Sequence, residues 1–322
     1  MIRYLARRTG HGAVMLLGVS ILLFVLLQAA PGDFIADLKL NSQISAETLA
    51  ALRTEYGLDQ SMPVRYWKWV ESSAKGDFGY SFAYNTPAST LLWPRARNTL
   101  LLTVPAVLIS WLIALPLGVL VAGTKGRWMD RIFSGGTSTL LALPDVLVAL
   151  LALLIALKTG LFPVGGMTSA NLDQQSTWEW LRDVSWHMVL PVAALVLGLL
   201  TMILRHVRSS VREVLDSSYM RAAEGHGLPR LKLLFRYALP AAANPLISLF
   251  GLSVAVLLSV SLLIEVVMGW PGIGPMLLEA ILSRDLFVVI GAVMLSTVFL
   301  IAGNLLADIL LYVCDPRMRM QS

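Results

Sequence analysis

The chain has 322 residues, of which 57% are hydrophobic and only 14% charged, with a formal net charge of +5 and a mean hydropathy of +0.72. Soluble domains carry about a quarter charged residues, so this composition excludes an ordinary soluble protein and argues for one membrane domain. A single cysteine, Cys314, excludes an intrachain disulfide framework, and His11, His187, His206 and His226 lie too far apart to form a metal-spacing motif.

The apolar residues are gathered into runs. A helix crossing the bilayer needs about 20 apolar residues, because it rises ~1.5 Å per residue across ~30 Å of hydrocarbon. The first run, 12–30, follows Arg3, Arg7 and Arg8. It is longer than the core of a signal peptide, and Gln28-Ala29-Ala30 is a poor cleavage site, so it reads as a retained first span. Five more spans are predicted near 99–122, 137–157, 188–204, 246–267 and 288–312. Pro105, Pro116, Pro144, Gly198, Gly251 and Gly303 fall inside them, where bilayer helices tolerate kinks or close packing.

Charge sets the orientation. Lys125, Arg127 and Arg131 face one acid in 123–136, and 205–245 holds seven basic residues against three acids. The loops near 158–187 and 265–287 each carry three acids and fewer bases. Basic loops stay in the cytoplasm, so both termini, 1–11 and 313–322, are expected there, in keeping with an even number of spans. Segment 31–98 then lies outside. It reads as folded: Ser45 can cap a helix over 46–56 ended by Gly57, and Pro63 can open another that ends near Gly76. Tyr66, Trp67, Trp69 and Phe78 supply apolar anchors there.

The 205–245 loop carries the most pattern. Arg205, Arg208 and Arg212 extend the fourth span at helical spacing. Ser217 or Ser218 can cap a short helix through His226, Gly227 can stop it, and Pro229 can start a second helix reaching Leu239, before Pro240. The small residues Ala222, Ala223 and Gly227 make a surface able to sit in a partner's groove; a plain connector is the other reading.

Ala222-Ala223, Gly227, Leu239 and Pro240 resemble the EAA loop of permease subunits in bacterial ABC importers, at matching spacing. Arg221 stands where that pattern has Glu and Tyr237 where it has an aliphatic residue, yet Tyr219-Met220-Arg221-Ala222 is similar to the peptide-importer branch. Four further stretches resemble B-type dipeptide and oligopeptide permeases: Pro31-Gly32-Asp33, Tyr56-Gly57-Leu58-Asp59-Gln60, Gly76-Asp77-Phe78-Gly79 with Ser81, and Glu265 with Trp270-Pro271-Gly272-Ile273-Gly274 and Arg284-Asp285. Asn304, Asp308, Tyr312 and Asp315-Pro316-Arg317 resemble the C-terminal signature of the same permeases.

The resemblance implies an all-α, type I importer bundle of about six spans, 99–312 forming the core beyond the first, in the bacterial inner membrane. It implies a second permease subunit, two cytoplasmic ATPase subunits carrying ATP and Mg, an extracytoplasmic binding protein, and surrounding lipid. It implies no nucleic acid, and no cofactor or metal on this chain. Tyr219, Arg221, Ala222, Ala223, Gly227, Leu239 and Pro240 would form the coupling segment. Peptides are the implied substrate, with nickel or another small solute as the alternative within the family and a self-contained secondary transporter or channel outside it.

Gly118 to Lys125 loosely resembles a phosphate-binding loop, but lacks the Gly-Lys-Ser/Thr order and follows a span. No catalytic constellation is legible, so this chain is expected to bind no ATP. Asp145 follows Pro144 inside the third predicted span, where a charge is costly; a pathway-facing group and a buried structural acceptor are both open. Asp308 reads as a structural partner for a nearby Arg or backbone group.

Overall fold

A computed structural model describes residues 2–29, 60–81, 83–124, 126–169 and 176–314. The expected helix over 46–56, the Pro31-Gly32-Asp33 stretch, Tyr56 to Asp59 and Asp315-Pro316-Arg317 lie outside the described residues. In chain order the elements are α1 (Ile2–Ala29), α2 (Met62–Ala74), β1 (Tyr80–Ser81), β2 (Thr86–Pro87), α3 (Ala88–Ala122), α4 (Arg127–Ala142), α5 (Asp145–Thr159), α6 (Thr177–Leu215), α7 (Ser218–Gly225), α8 (Arg230–Lys232), a π-helical turn (Leu233–Ala238), α9 (Leu239–Ala241), α10 (Ala243–Val267), α11 (Ile273–Leu282) and α12 (Leu286–Cys314). The described residues fall into two compact units, one within Met1–Arg7, Thr99–Pro271 and Leu300–Ser322, the other within Arg8–Asn98 and Gly272–Phe299.

Five helices contain segments long and apolar enough to cross a bilayer: Ala6–Leu26, Ala88–Ala122, Thr177–Leu215, Ala243–Val267 and Leu286–Val313. The predicted third span, 137–157, is not one helix. Arg131–Ala142 and Asp145–Thr159 together pass the same test but meet at 89°. Pro144 is the cause. Its ring drives the preceding residue out of the helical region, and Leu143 sits at φ −79°, ψ 121°. The described chain thus has five continuous spans, or six if the bent pair counts as one.

Two further boundaries moved. The fourth run, 188–204, is the middle of the 39-residue α6. At ~1.5 Å per residue that helix is roughly 58 Å long, nearly twice the hydrocarbon thickness, so Arg205, Arg208 and Arg212 ride on its continuation. Ser176 and Glu179 start it with a reciprocal capping box. The basic stretch 123–136 is likewise largely helical, as the first part of α4.

In the larger unit, one core joins Leu102 and Ala106 of α3, Leu195 and Ile203 of α6, Leu233 and Leu234 of the π turn, and Leu257 and Ile264 of α10. Close helix approach depends on small residues, since packing rather than water expulsion holds helices together in lipid. A Cβ on Gly118 of α3 would stand 2.7 Å from Val207 Cγ1 of α6, and one on Gly303 of α12 would stand 2.5 Å from Val254 Cγ1 of α10.

The smaller unit is built on aromatic packing. Pro63 lies in the first turn of α2, and Gly76 follows that helix at φ +86°. Trp69 is buried, and its Nε1 donates to the Phe78 carbonyl at 3.1 Å. The Phe24 ring of α1 meets Tyr66 edge-on at 5.2 Å and Trp69 at 5.4 Å. Ser20 Oγ hydrogen-bonds the Tyr66 hydroxyl at 2.9 Å. Of the four aromatic anchors, Trp67 points outward at 69% exposure, because Tyr66, Trp69 and Val70 share the opposite face of the helix.

Candidate functional site

The segment after α6 is a short helix held from beneath. Ser217 precedes α7 in extended conformation, as a cap residue should, but its hydroxyl makes no cap bond. It turns back and donates to the Val214 carbonyl at 2.6 Å, serving the frayed end of α6 instead. Met220 is 1% exposed, and Ala223 packs half-buried against the core. Three residues apart, they form the inner face. Tyr219, Arg221, Ala222 and Glu224 point outward. The two alanines therefore differ: Ala222 is presented and Ala223 is seated.

Gly227 ends the helix at φ +75°, and a methyl group in place of its α-hydrogen would meet nothing within 4 Å. Its glycine serves the left-handed turn rather than close packing. Arg230 then ties the segment down. Its guanidinium donates to the Gly123 carbonyl just beyond α3, an acceptor that the helix end leaves without an intrahelical partner. It also lies 3.6 Å from Glu224 of α7. A Cβ on Gly123 would stand 2.7 Å from Leu234 Cδ1, so the α3 terminus and the π turn meet closely. Leu239 is half-buried and Pro240 exposed. Pro240 cannot give an N–H to the Arg236 carbonyl one turn back, and the wide turn Leu233–Ala238 immediately precedes that interruption. The sequence-predicted coupling residues thus lie on one continuous piece of chain between α6 and α10.

Asp145 does not lie in mid-helix but in the first turn of α5, directly after the Pro144 break that divides the bent pair. A carboxylate is favoured there by the orphan N–H groups and the helix dipole, which removes much of the cost argued for a mid-helix charge. It is half-buried against α6, where a Cβ on Gly198 would come within 2.5 Å of its Oδ1. Glu265, at the end of α10, is fully buried, and its backbone carbonyl accepts from the Trp270 N–H at 2.9 Å. Asn304 and Asp308 follow at helical spacing on α12. A Cβ on Gly251 would lie 2.8 Å from Asn304 Oδ1, and Asp308 is buried.

Ser81 and the Arg284-Asp285 pair, distant in sequence, come together in the smaller unit. Asp285 is fully buried and accepts from Ser81 Oγ at 2.5 Å and from the Ala83 N–H at 3.2 Å. Asp285 also precedes α12, with Val288 N at 3.5 Å from Oδ1. Ser81 Oγ in turn accepts from the Tyr84 N–H at 3.2 Å. The Tyr84 hydroxyl donates to Glu279 of α11, and that hydrogen bond raises the phenol pKa above its ordinary value. Tyr84–Glu279 and Arg230–Gly123 had no sequence signal, since neither pair lies within one element. Among the described residues no group of three or more His, Cys, Asp or Glu is placed to hold a metal ion.

Comparison with known proteins agrees with this architecture. Residues 114–320 match the family described as the binding-protein-dependent transport system inner membrane component, and residues 1–103 match the N-terminal region of such membrane components. The chain is 32% identical to the oligopeptide transport system permease protein AppB of Bacillus subtilis, over 98% of this chain and 99% of that protein. It is 33% identical to the dipeptide transport system permease protein DppB of Escherichia coli, over 99% of each. It is 29% identical to the glutathione transport system permease protein GsiC of Salmonella paratyphi A, again over 99% of each.

Proposed function

The chain belongs to the family of binding-protein-dependent transport system inner membrane components, and we propose that it forms half of the pathway of a peptide importer driven by ATPase subunits seated on α7. It is a multi-pass inner-membrane permease subunit of an ABC importer. The peptide substrate is favoured by the names of its relatives, which are permeases for oligopeptides, dipeptides and glutathione. The partners in this reading are a second permease subunit, two cytoplasmic ATPase subunits that hold ATP and Mg, and an extracytoplasmic binding protein. Both termini and the α6–α10 segment face the cytoplasm, as the basic residues of 205–245 favour.

The observation that supports the coupling role is the two-sidedness of α7. Met220 and Ala223 fix it to the bundle, while Tyr219, Arg221, Ala222 and Glu224 are exposed on its outer side. A rigidly held helix with an open outer face can convert a partner's closure into movement of α6 and α10, biasing a two-state bundle. Arg230 extends that linkage to α3.

Gly227→Glu tests the reading. The position has open space around it, so the fold loses only the strain of a side chain at positive φ, about 1–2 kcal/mol. The expected result is normal insertion of the chain with ATP-driven dipeptide uptake lost and ATPase activity uncoupled from the binding protein. Uptake and coupling at the parent level in Gly227→Glu would contradict the assignment. Ala223→Glu is a poorer test, because that residue is seated in the core.

A further inference from the structure

An apolar slot of about 390 Å³ lies in the larger unit, beside the end of the coupling segment. Its walls include Trp111 and Leu115 of α3, Leu239 and Pro240 of α9, Phe250 of α10 and Leu310 of α12. Every lining side chain is apolar except for the indole N–H of Trp111, and that group is already used: it donates to Ser253 Oγ at 3.0 Å. The ring lies 5.8 Å from Phe250, so the slot presents hydrocarbon and aromatic faces alone. An apolar cavity of ~150 Å³ stays dry and holds benzene. This one is more than twice that size and is framed by helices α3, α10 and α12, all of membrane-spanning length and hydropathy.

One turn from the slot stands a cation. Arg236 lies in the π turn and precedes Pro240, a slot-lining residue, by four residues, about one turn of the chain. It is exposed and makes no ion pair among the described residues. An apolar slot with an exposed arginine about one turn along the chain from its Pro240 wall matches an amphipathic molecule with an anionic head. Neutral hydrocarbon, or an apolar side chain from a partner helix, would fill the slot and leave the charge unmatched. We propose that the slot takes one acyl chain of an anionic phospholipid whose phosphate sits on Arg236. Bound there, the lipid braces the junction of the π turn, α9 and α10. The site is distinct from the outer face of α7 and does not depend on the ATPase-coupling assignment.

Trp111 reports occupancy directly. The full-length chain is placed in phosphatidylcholine nanodiscs containing either dibrominated phosphatidylglycerol or dibrominated phosphatidylcholine. The Trp111 contribution to quenching is taken as the difference between the parent and Trp111→Phe. Brominated phosphatidylglycerol should quench Trp111 at about fivefold lower mole fraction than the brominated neutral lipid, the preference expected from one basic residue near the membrane surface. Arg236→Gln should abolish the preference while leaving quenching by the neutral lipid, and Ala243→Phe, which narrows the slot, should reduce quenching by both. Equal quenching by the two lipids in the parent, a preference that persists in Arg236→Gln, or no quenching of Trp111 by either lipid would overturn the proposal.

Discussion

Replacing Asp285 with alanine removes the acceptor that joins the 81–84 turn to the start of α12. The carboxylate takes Ser81 Oγ at 2.5 Å and the Ala83 N–H at 3.2 Å, with both Ser81 and Asp285 fully buried. An O–H···O⁻ bond of that length belongs to the strong class, and hydrogen bonds to charged groups contribute about 1.5–3 kcal/mol. Leaving the buried Ser81 hydroxyl proton without this acceptor costs about another 1–3 kcal/mol, because the Tyr84 N–H that Ser81 Oγ accepts cannot take that proton. The local opening free energy should fall by about 3–4 kcal/mol. At 1.4 kcal/mol per decade, the β1–β2 turn then opens about 10² to 10³ times more often. Hydrogen exchange at the Ala88 amide, bonded to the Gly79 carbonyl at 2.8 Å, reads this without touching the mutated group. Asp285→Asn keeps an acceptor oxygen and should accelerate exchange only about tenfold, or ~1.4 kcal/mol. In a double-mutant cycle, Ser81→Ala and Asp285→Ala should couple by at least ~1 kcal/mol. Exchange at Ala88 within threefold of the parent in Asp285→Ala, or additive single losses, would refute the reasoning.

Gly118→Ala pushes a methyl to 2.7 Å from Val207 Cγ1 and 2.8 Å from its Cβ, and a β-branched side chain cannot swing aside. The bundle should lose about 1–3 kcal/mol in detergent unfolding, and the double variant with Val207→Ala should lose less than the two single changes summed. Tyr84, whose pKa is raised by its bond to Glu279, stabilises its contact fully below the ordinary phenol pKa, near 10, and loses that contribution as pH rises through the elevated folded value. Ultraviolet titration of Glu279→Gln should return one phenol to a lower pKa; an unchanged titration would remove the cause assigned here. Arg230→Ala releases the Gly123 carbonyl and the Glu224 contact. With the guanidinium half-exposed, the loss is about 1 kcal/mol, read as roughly fivefold faster exchange across 218–232 at unchanged exchange within α6.

Where each local signal acts over a few residues, sequence and fold agree. Pro63 opens α2 and Gly76 follows it, and Gly227 stops the helix before it at positive φ. Long apolar runs marked the five continuous spans for the same reason, since each must cover its own backbone against lipid. The break in the third apolar run stayed hidden because averaged hydropathy runs straight through Pro144, while the backbone at Leu143 leaves the helical region.

Sequence alone determined that this chain crosses the membrane several times and that a small-residue helix follows its fourth apolar run. The faces of the helices were another matter. Lipid and protein interior are equally apolar, so Leu112 at 76% exposure and Leu102 at 0% carry the same residue type and no periodic contrast between them. Only the tertiary structure separated them, as it separated outward Ala222 from seated Ala223. It also closed contacts across great sequence distance, 204 residues from Ser81 to Asp285 and 107 from Arg230 to Gly123. A capping box or an amphipathic stripe is written within one turn. A hydrogen bond between distant segments depends on how the intervening helices pack, and no local pattern in the chain encodes it.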